Sequence, residues 1–168
     1  MADRKTQKTV LAAMFAALCT VMTMVIQIPS PMQGYVNLGD CAVLVSAWVL
    51  GPFYGGAAAG IGSMLADLLS GYAHYAPGTF AVKLTMAVAA SWLFSNLSRK
   101  PLTAQLISGI AAEAIMVAGY FGYACLWMGE GWAAAASVPG NIIQGIFGLV
   151  SAVALHTVLT RSRAFHQL

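Results

Sequence analysis

The sequence has little charge: of 168 residues, 8 are Lys or Arg and 5 are Asp or Glu, and charged residues make up 8% of the whole. Soluble domains carry about a quarter, so a water-soluble enzyme or binding module is excluded. Cysteine is scarce too. Cys19, Cys41 and Cys125 are odd in number, form no C-x-x-C pair and lie in or beside apolar segments. They read as free packing residues, with neither a disulfide framework nor a metal site indicated. The glycine-rich GPFYGGAAAGIGS lacks the Gly-Lys-Ser/Thr that a phosphate loop needs, so it is not a phosphate loop. His156 and His166 belong to no catalytic constellation, and no cofactor and no metal are expected. The basic excess of +3 lies beside apolar segments. It therefore reports membrane orientation and gives no support for nucleic-acid binding.

What is present is apolar: 60% of the residues are hydrophobic and the mean hydropathy is +0.78. The expected fold class is an all-α integral membrane protein, with residues 1–168 forming a single membrane domain. The apolar stretch Thr9 to Ile28 follows Arg4, Lys5 and Lys8; it is longer than the ~7–15 residues of a signal core, so the first helix is expected to be retained. Leu38 to Ser70 is too long for one span, at roughly 50 Å, and Gly51-Pro52 supplies a natural break. The predicted helices are about 9–28, 38–50, 52–70, 78–97, 102–127 and 138–160. The second is short enough to be re-entrant, and charge decides in favour of six transmembrane helices. With six, Arg4, Lys5, Lys8, Arg99, Lys100, Arg161 and Arg163 fall on one side and the opposite loops hold no Lys or Arg. Both termini are then cytoplasmic.

The outer loops, Pro29–Asn37, Gly71–Pro77 and Met128–Ser137, carry Tyr35, Tyr72, His74, Tyr75, Glu130 and Trp132. Tyr35, His74 and Tyr75 fit an interfacial aromatic belt and equally a lid over a ligand. Asp67, Lys83 and Glu113 each interrupt an apolar run. A charge at a helix centre opposes insertion by roughly 2.5–3.5 kcal/mol, so such residues face a partner or a polar cavity. By depth, Asp67, Ser70, Lys83, Asn141 and Gln144 fall in the outer half; Asn141 and Gln144 share a helix face, and Tyr120 and Tyr123 reach a similar level. This convergence predicts a pocket open to the outside. Asp67 and Lys83 are as well explained by a mutual salt bridge between helices 3 and 4, which leaves Lys83 able to donate to a ligand. Glu113, near mid-membrane, fits a helix-packing hydrogen bond or a ligand contact. In helix 1, Ala12 with Ala16 and Ala13 with Ala17 form small-xxx-small pairs suited to close helix contact. The nine Met read as gap fillers.

Three segments together resemble a known family: YVNLGDCAVLVSAWVLGPFYGGAAAGIGSMLADLLSGYAHYAPGTFAVK, EAIMVAGYFGY and PGNIIQGIFG. The chain is identified as a member of the substrate-binding S components of energy-coupling factor (ECF) vitamin transporters, in the riboflavin-type or hydroxymethylpyrimidine/vitamin B6-type branch. The resemblance implies a six-helix bundle that binds a micronutrient at its outer face, with a long first loop as lid. It also implies docking through the small residues of helix 1 (Ala12, Ala13, Ala16, Ala17) onto a transmembrane scaffold subunit that carries two cytosolic ATPase subunits. By motif, Asp40 belongs to LGD, Tyr75 and Lys83 to the YAP-to-Lys segment, and Asn141 and Gln144 to P-x-N-x-x-Q. The expected function is a non-catalytic subunit in the bacterial plasma membrane. Vitamin B6 or a hydroxymethylpyrimidine-like heterocycle leads among ligands; riboflavin, a queuosine precursor and pantothenate stay open. The competing function is a stand-alone ion-coupled carrier or channel in which Asp67 or Glu113 relays protons.

Overall fold

The computed structural model describes residues 3–30, 34–97 and 100–162. Arg99, Arg163 and His166, with residues 31–33 of the expected lid, lie outside the described residues. Among the described residues, five helices are long and apolar enough to cross a membrane. They are α1 (Arg4–Val25), α2 (Gly39–Leu69), α3 (Ala76–Asn96), α4 (Pro101–Gly122) and α5 (Val138–Arg161). A π-helical turn, Tyr123–Trp127, extends α4, and a 3₁₀ segment, Gly131–Ser137, leads into α5. Proline stands in the first turn of α3, α4 and α5, where its missing N–H and fixed φ cost the helix nothing.

The break expected at Gly51-Pro52 falls inside α2. Gly51 has φ 82° and ψ 179°, a conformation that glycine alone adopts without strain. Either side of it the chain reverses. Ser46 Oγ is 3.4 Å from the Gly55 carbonyl oxygen, whereas nine residues of straight helix would separate them by roughly 13 Å. α2 is thus two arms, 39–50 and 52–69, packed against each other. The first arm is only about 18 Å long, but residues 39–48 are all buried. It forms a central post, and its all-round hydrophobicity follows from that position.

The other helices surround the post. Thr20 Oγ1 of α1 donates to the Gly62 carbonyl at 2.8 Å, and Gly62 has no Cβ because one would strike Cys19. The post meets α4 through Trp48 Nε1, which donates to Ser108 Oγ at 3.0 Å. α4 meets α5 where Gln105 Nε2 lies 2.5 Å from His156 Nδ1. Val43, Leu44, Val45, Met86 and Met116 fill the interior, while Met14, Val21, Ile110, Phe147 and Val150 are exposed, an apolar outer surface of the kind that a membrane or another protein covers.

Where the sequence suggested only a loop after α1, the chain forms a hairpin of β1 (Gln27–Ser30) and β2 (Gly34–Asn37), antiparallel, with Pro29 opposite Tyr35 and Gln27 opposite Asn37.

Candidate ligand-binding site

Beneath this hairpin, α1, α2, α3 and α4 enclose a small cavity of about 40 Å³. Thr23, Tyr35, Asn37, Ser63, Asp67, Tyr75, Thr79, Lys83 and Tyr120 line it. Five of these were expected from the sequence: Asp67, Lys83, Tyr35, Tyr75 and Tyr120. The other four are small polar residues, of which Thr23, Ser63 and Thr79 lie inside apolar runs and Asn37 closes the first outer loop. Two of them had a readable signal, since Ser63 precedes Asp67 and Thr79 precedes Lys83 by one helical repeat of four, which puts each pair on one face.

The salt bridge expected between Asp67 and Lys83 does not form. The Lys83 ammonium pairs instead with Asp40 Oδ1. Asp40 opens the first turn of the central post and is fully buried, so it needs an ionic partner more than Asp67 does. Its other oxygen accepts from Gln144 Nε2 at 2.7 Å. Gln144 in turn accepts the backbone N–H of Asn37 at 2.9 Å, so it ties the ion pair to the base of β2. Asp40 and Gln144 therefore stand behind the cavity wall and hold Lys83 in place. Lys83 keeps N–H groups for the cavity, with its nitrogen 5.5 Å from the centroid of the Tyr120 ring, a cation–π distance.

Asp67 faces the hairpin. Its Oδ1 accepts from the Tyr35 hydroxyl at 2.5 Å; its Oδ2 is buried without a partner, as are Thr23 Oγ1 and Ser63 Oγ. Burial, and then the Asp67 charge, push the Tyr35 hydroxyl above the ordinary tyrosine range, so it stays a donor. Tyr75 is pushed up to about 12, by burial first and by Glu130 second. The Tyr35 ring lies 4.6 Å from that of Tyr72, Tyr120 donates to Thr79 Oγ1 at 3.2 Å, and Gln27 Nε2 donates to Ser70 Oγ at 2.9 Å. The hairpin is thus latched by three hydrogen bonds, two to α2 and its C-cap and one to α5.

The remaining expected residues lie elsewhere. His74 is exposed; its carbonyl accepts from Tyr123 and its ring packs on Tyr75. Asn141 is half-buried on α5, away from the cavity lining. Glu113 lies at the floor of a separate apolar groove of about 460 Å³ between α4 and α5, with both carboxyl oxygens buried and unpartnered. The alanine pairs divide as well: Ala12 and Ala16 are half-buried against the core, whereas Ala13 and Ala17 are exposed. Among the described residues no three His, Cys, Asp or Glu gather to hold a metal ion.

The family model described as ECF-type riboflavin transporter, S component, matches residues 3–161. A Pyrococcus woesei protein described as "Uncharacterized protein in gap 3'region" is 34% identical over 145 residues, which cover 84% of this chain and 94% of that protein. A solved chain described under "Structure and mechanism of the S component of a bacterial ECF transporter" superposes with a TM-score of 0.71 at 20% identity, covering 94% of this chain and 98% of that one. At that identity the likeness shows the fold alone.

Proposed function

This chain belongs to the ECF-type riboflavin transporter S component family, and from that premise we propose that it captures a small single-ring heterocycle, of the vitamin B6 or hydroxymethylpyrimidine kind, at the outer face of a bacterial plasma membrane. The family role is that of a substrate-binding subunit of a vitamin transporter, without catalysis of its own. Delivery in our reading follows docking on a transmembrane scaffold with two cytosolic ATPase subunits.

One observation carries the ligand reading: Thr23, Ser63 and Asp67 each turn an unpartnered buried oxygen to the same cavity. Buried polar groups without partners are rare and call for one, and a polar ring flanked by Tyr35, Tyr75 and Tyr120 would supply it. A cavity of about 40 Å³ has room for about three waters. Entry of any vitamin therefore requires the hairpin to lift, which supports its role as lid. A single ring demands the least expansion, and so is preferred to riboflavin, a queuosine precursor or pantothenate.

Six crossings with cytoplasmic termini remain our reading of orientation. Lys8 shares a groove with Gly51 and Pro52, consistent with a basic inner end and with Gly51 as an inner turn. A second reading, an ion-coupled carrier, draws on Glu113 and its two unpartnered oxygens. Two measurements on the purified chain test the choice. Mass spectrometry of the co-purifying small molecule is expected to find a single-ring heterocycle. In proteoliposomes, uptake is expected only with the ATPase partners present; ion-driven uptake by the lone chain would establish the second reading.

A further inference from the structure

We infer that the cavity selects against anionic ligands and that Asp67 sets this charge rule, taking a hydrogen-bond donor of a neutral or cationic ligand at its open oxygen. The inference rests on the reading that this cavity is the substrate site. It names the substrate class by charge: unphosphorylated and carrying no carboxylate.

The titratable groups that line the cavity are Asp67, Lys83, Tyr35, Tyr75 and Tyr120, with Asp40 behind Lys83. Among the described residues Lys83 is the sole basic side chain of that lining, and Asp40 already matches its charge. Asp67 has only neutral donors beside it, the Tyr35 hydroxyl on Oδ1 and the Thr79 hydroxyl nearby, and its Oδ2 makes no hydrogen bond. The site's remaining charge is therefore negative, and it points at the ligand.

A phosphate or carboxylate would need Lys83 as its counter-ion. Drawing Lys83 away would strand Asp40, which is fully buried, and a buried charge without its partner is strongly unfavourable. Leaving the pair intact gives an anion one shared ammonium and the hydroxyls of Thr23 and Ser63. That is a poor set beside the arginine forks that phosphate sites use. The start of α2 offers no substitute, because the Gly39 N–H is taken by Asn37 Oδ1 at 2.8 Å. Meanwhile Asp67 would confront the anion with like charge in a water-poor site, where repulsion is least screened. A donor on the ligand, such as a ring N–H, an amine or a hydroxymethyl group, meets the same oxygen favourably. Thr23 and Ser63, as donors or acceptors, accept either polarity and do not decide.

The test is calorimetric titration of the purified full chain in detergent with compounds matched in ring and differing in charge: pyridoxamine, pyridoxine, 4-pyridoxate and pyridoxal 5′-phosphate, then 4-amino-5-hydroxymethyl-2-methylpyrimidine and its phosphate. The neutral and cationic members should bind at least about tenfold more tightly than the anionic ones. Asp67→Asn should close that gap to within about threefold, and Asp67→Glu, which keeps the charge, should preserve it. Equal affinity for charged and uncharged members, or a gap indifferent to Asp67→Asn, overturns the inference. If no member binds, the molecule that co-purifies decides. A phosphate or carboxylate on it refutes the charge rule; a neutral larger ring refutes the single-ring proposal and leaves the charge rule standing.

Discussion

Lys83 and Asp40 hold the molecule together, while Thr23, Ser63 and Asp67 leave hydrogen bonds unmade, and substitutions should separate the two groups. Lys83→Met strands the Asp40 carboxylate and is expected to destabilise the protein by ~3–5 kcal/mol, seen as a lowered unfolding midpoint in detergent. Asp40→Asn on that background should recover much of the loss, because the stranded charge is then gone. Thr23→Val and Ser63→Ala should behave in the opposite way. Each removes a buried oxygen that has no partner in the ligand-free protein, so thermal stability should hold or rise while ligand affinity falls by ~1–3 kcal/mol. A drop in stability with unchanged affinity would assign both residues to packing. The sequence showed which residues to suspect but not how they pair. Asp40 and Asp67 are both acids within reach of Lys83, and only the position of the first arm at the centre, fixed by contacts with every neighbouring helix, decides between them. Ser63 and Thr79 were legible in principle from their spacing to Asp67 and Lys83; Thr23, with no charged residue a turn away, was not.

At the scale of elements, the break in α2 was legible because Gly51-Pro52 is a local signal, whereas the hairpin was not. Its strands are four residues each, and an isolated two-stranded hairpin is marginal in water. What stabilises it is distant in sequence: Gln27 to Ser70 spans 43 positions, and Asn37 to Gln144 spans 107. Gln144 is the most consequential of these latches, since it bonds both the hairpin and Asp40. Gln144→Ala leaves the Asn37 N–H and an Asp40 oxygen without partners, so it should loosen the hairpin by ~1–3 kcal/mol. A cysteine placed at Val36, half-buried on β2, reports this. Its alkylation should accelerate by roughly tenfold in the Gln144→Ala background, the factor that 1.4 kcal/mol of easier opening gives. An unchanged rate would show that the other two latches suffice.

At the scale of the whole molecule, α1 bears on docking. Only 17% of its most apolar stretch is buried, against 67% for α2, so most of α1 faces outward. Which face does so was hidden in the sequence, because α1 is apolar on every side and its two alanine pairs differ by one position. The structure turns Ala16 inward, where Thr20 and Gly62 bond across the same contact, and leaves Ala13 and Ala17 exposed beside Val10, Met14 and Val21. Orientation is checked by labelling: a cysteine at Ser137 should react from outside intact cells, and one at Ser162 only after permeabilisation. Docking is checked on α1. Ala17→Trp adds bulk to a face that small residues keep open to another helix, six positions short of Thr23 and the cavity. Fold and ligand affinity should stay near wild type while uptake in cells with the ATPase partners collapses. Ala16→Trp is the contrasting variant, for its indole would be driven into the contact with the second arm of α2, and it should lose folded protein outright. Normal transport by Ala17→Trp would remove this face from the docking surface, and the partner's contact would have to be sought on another helix.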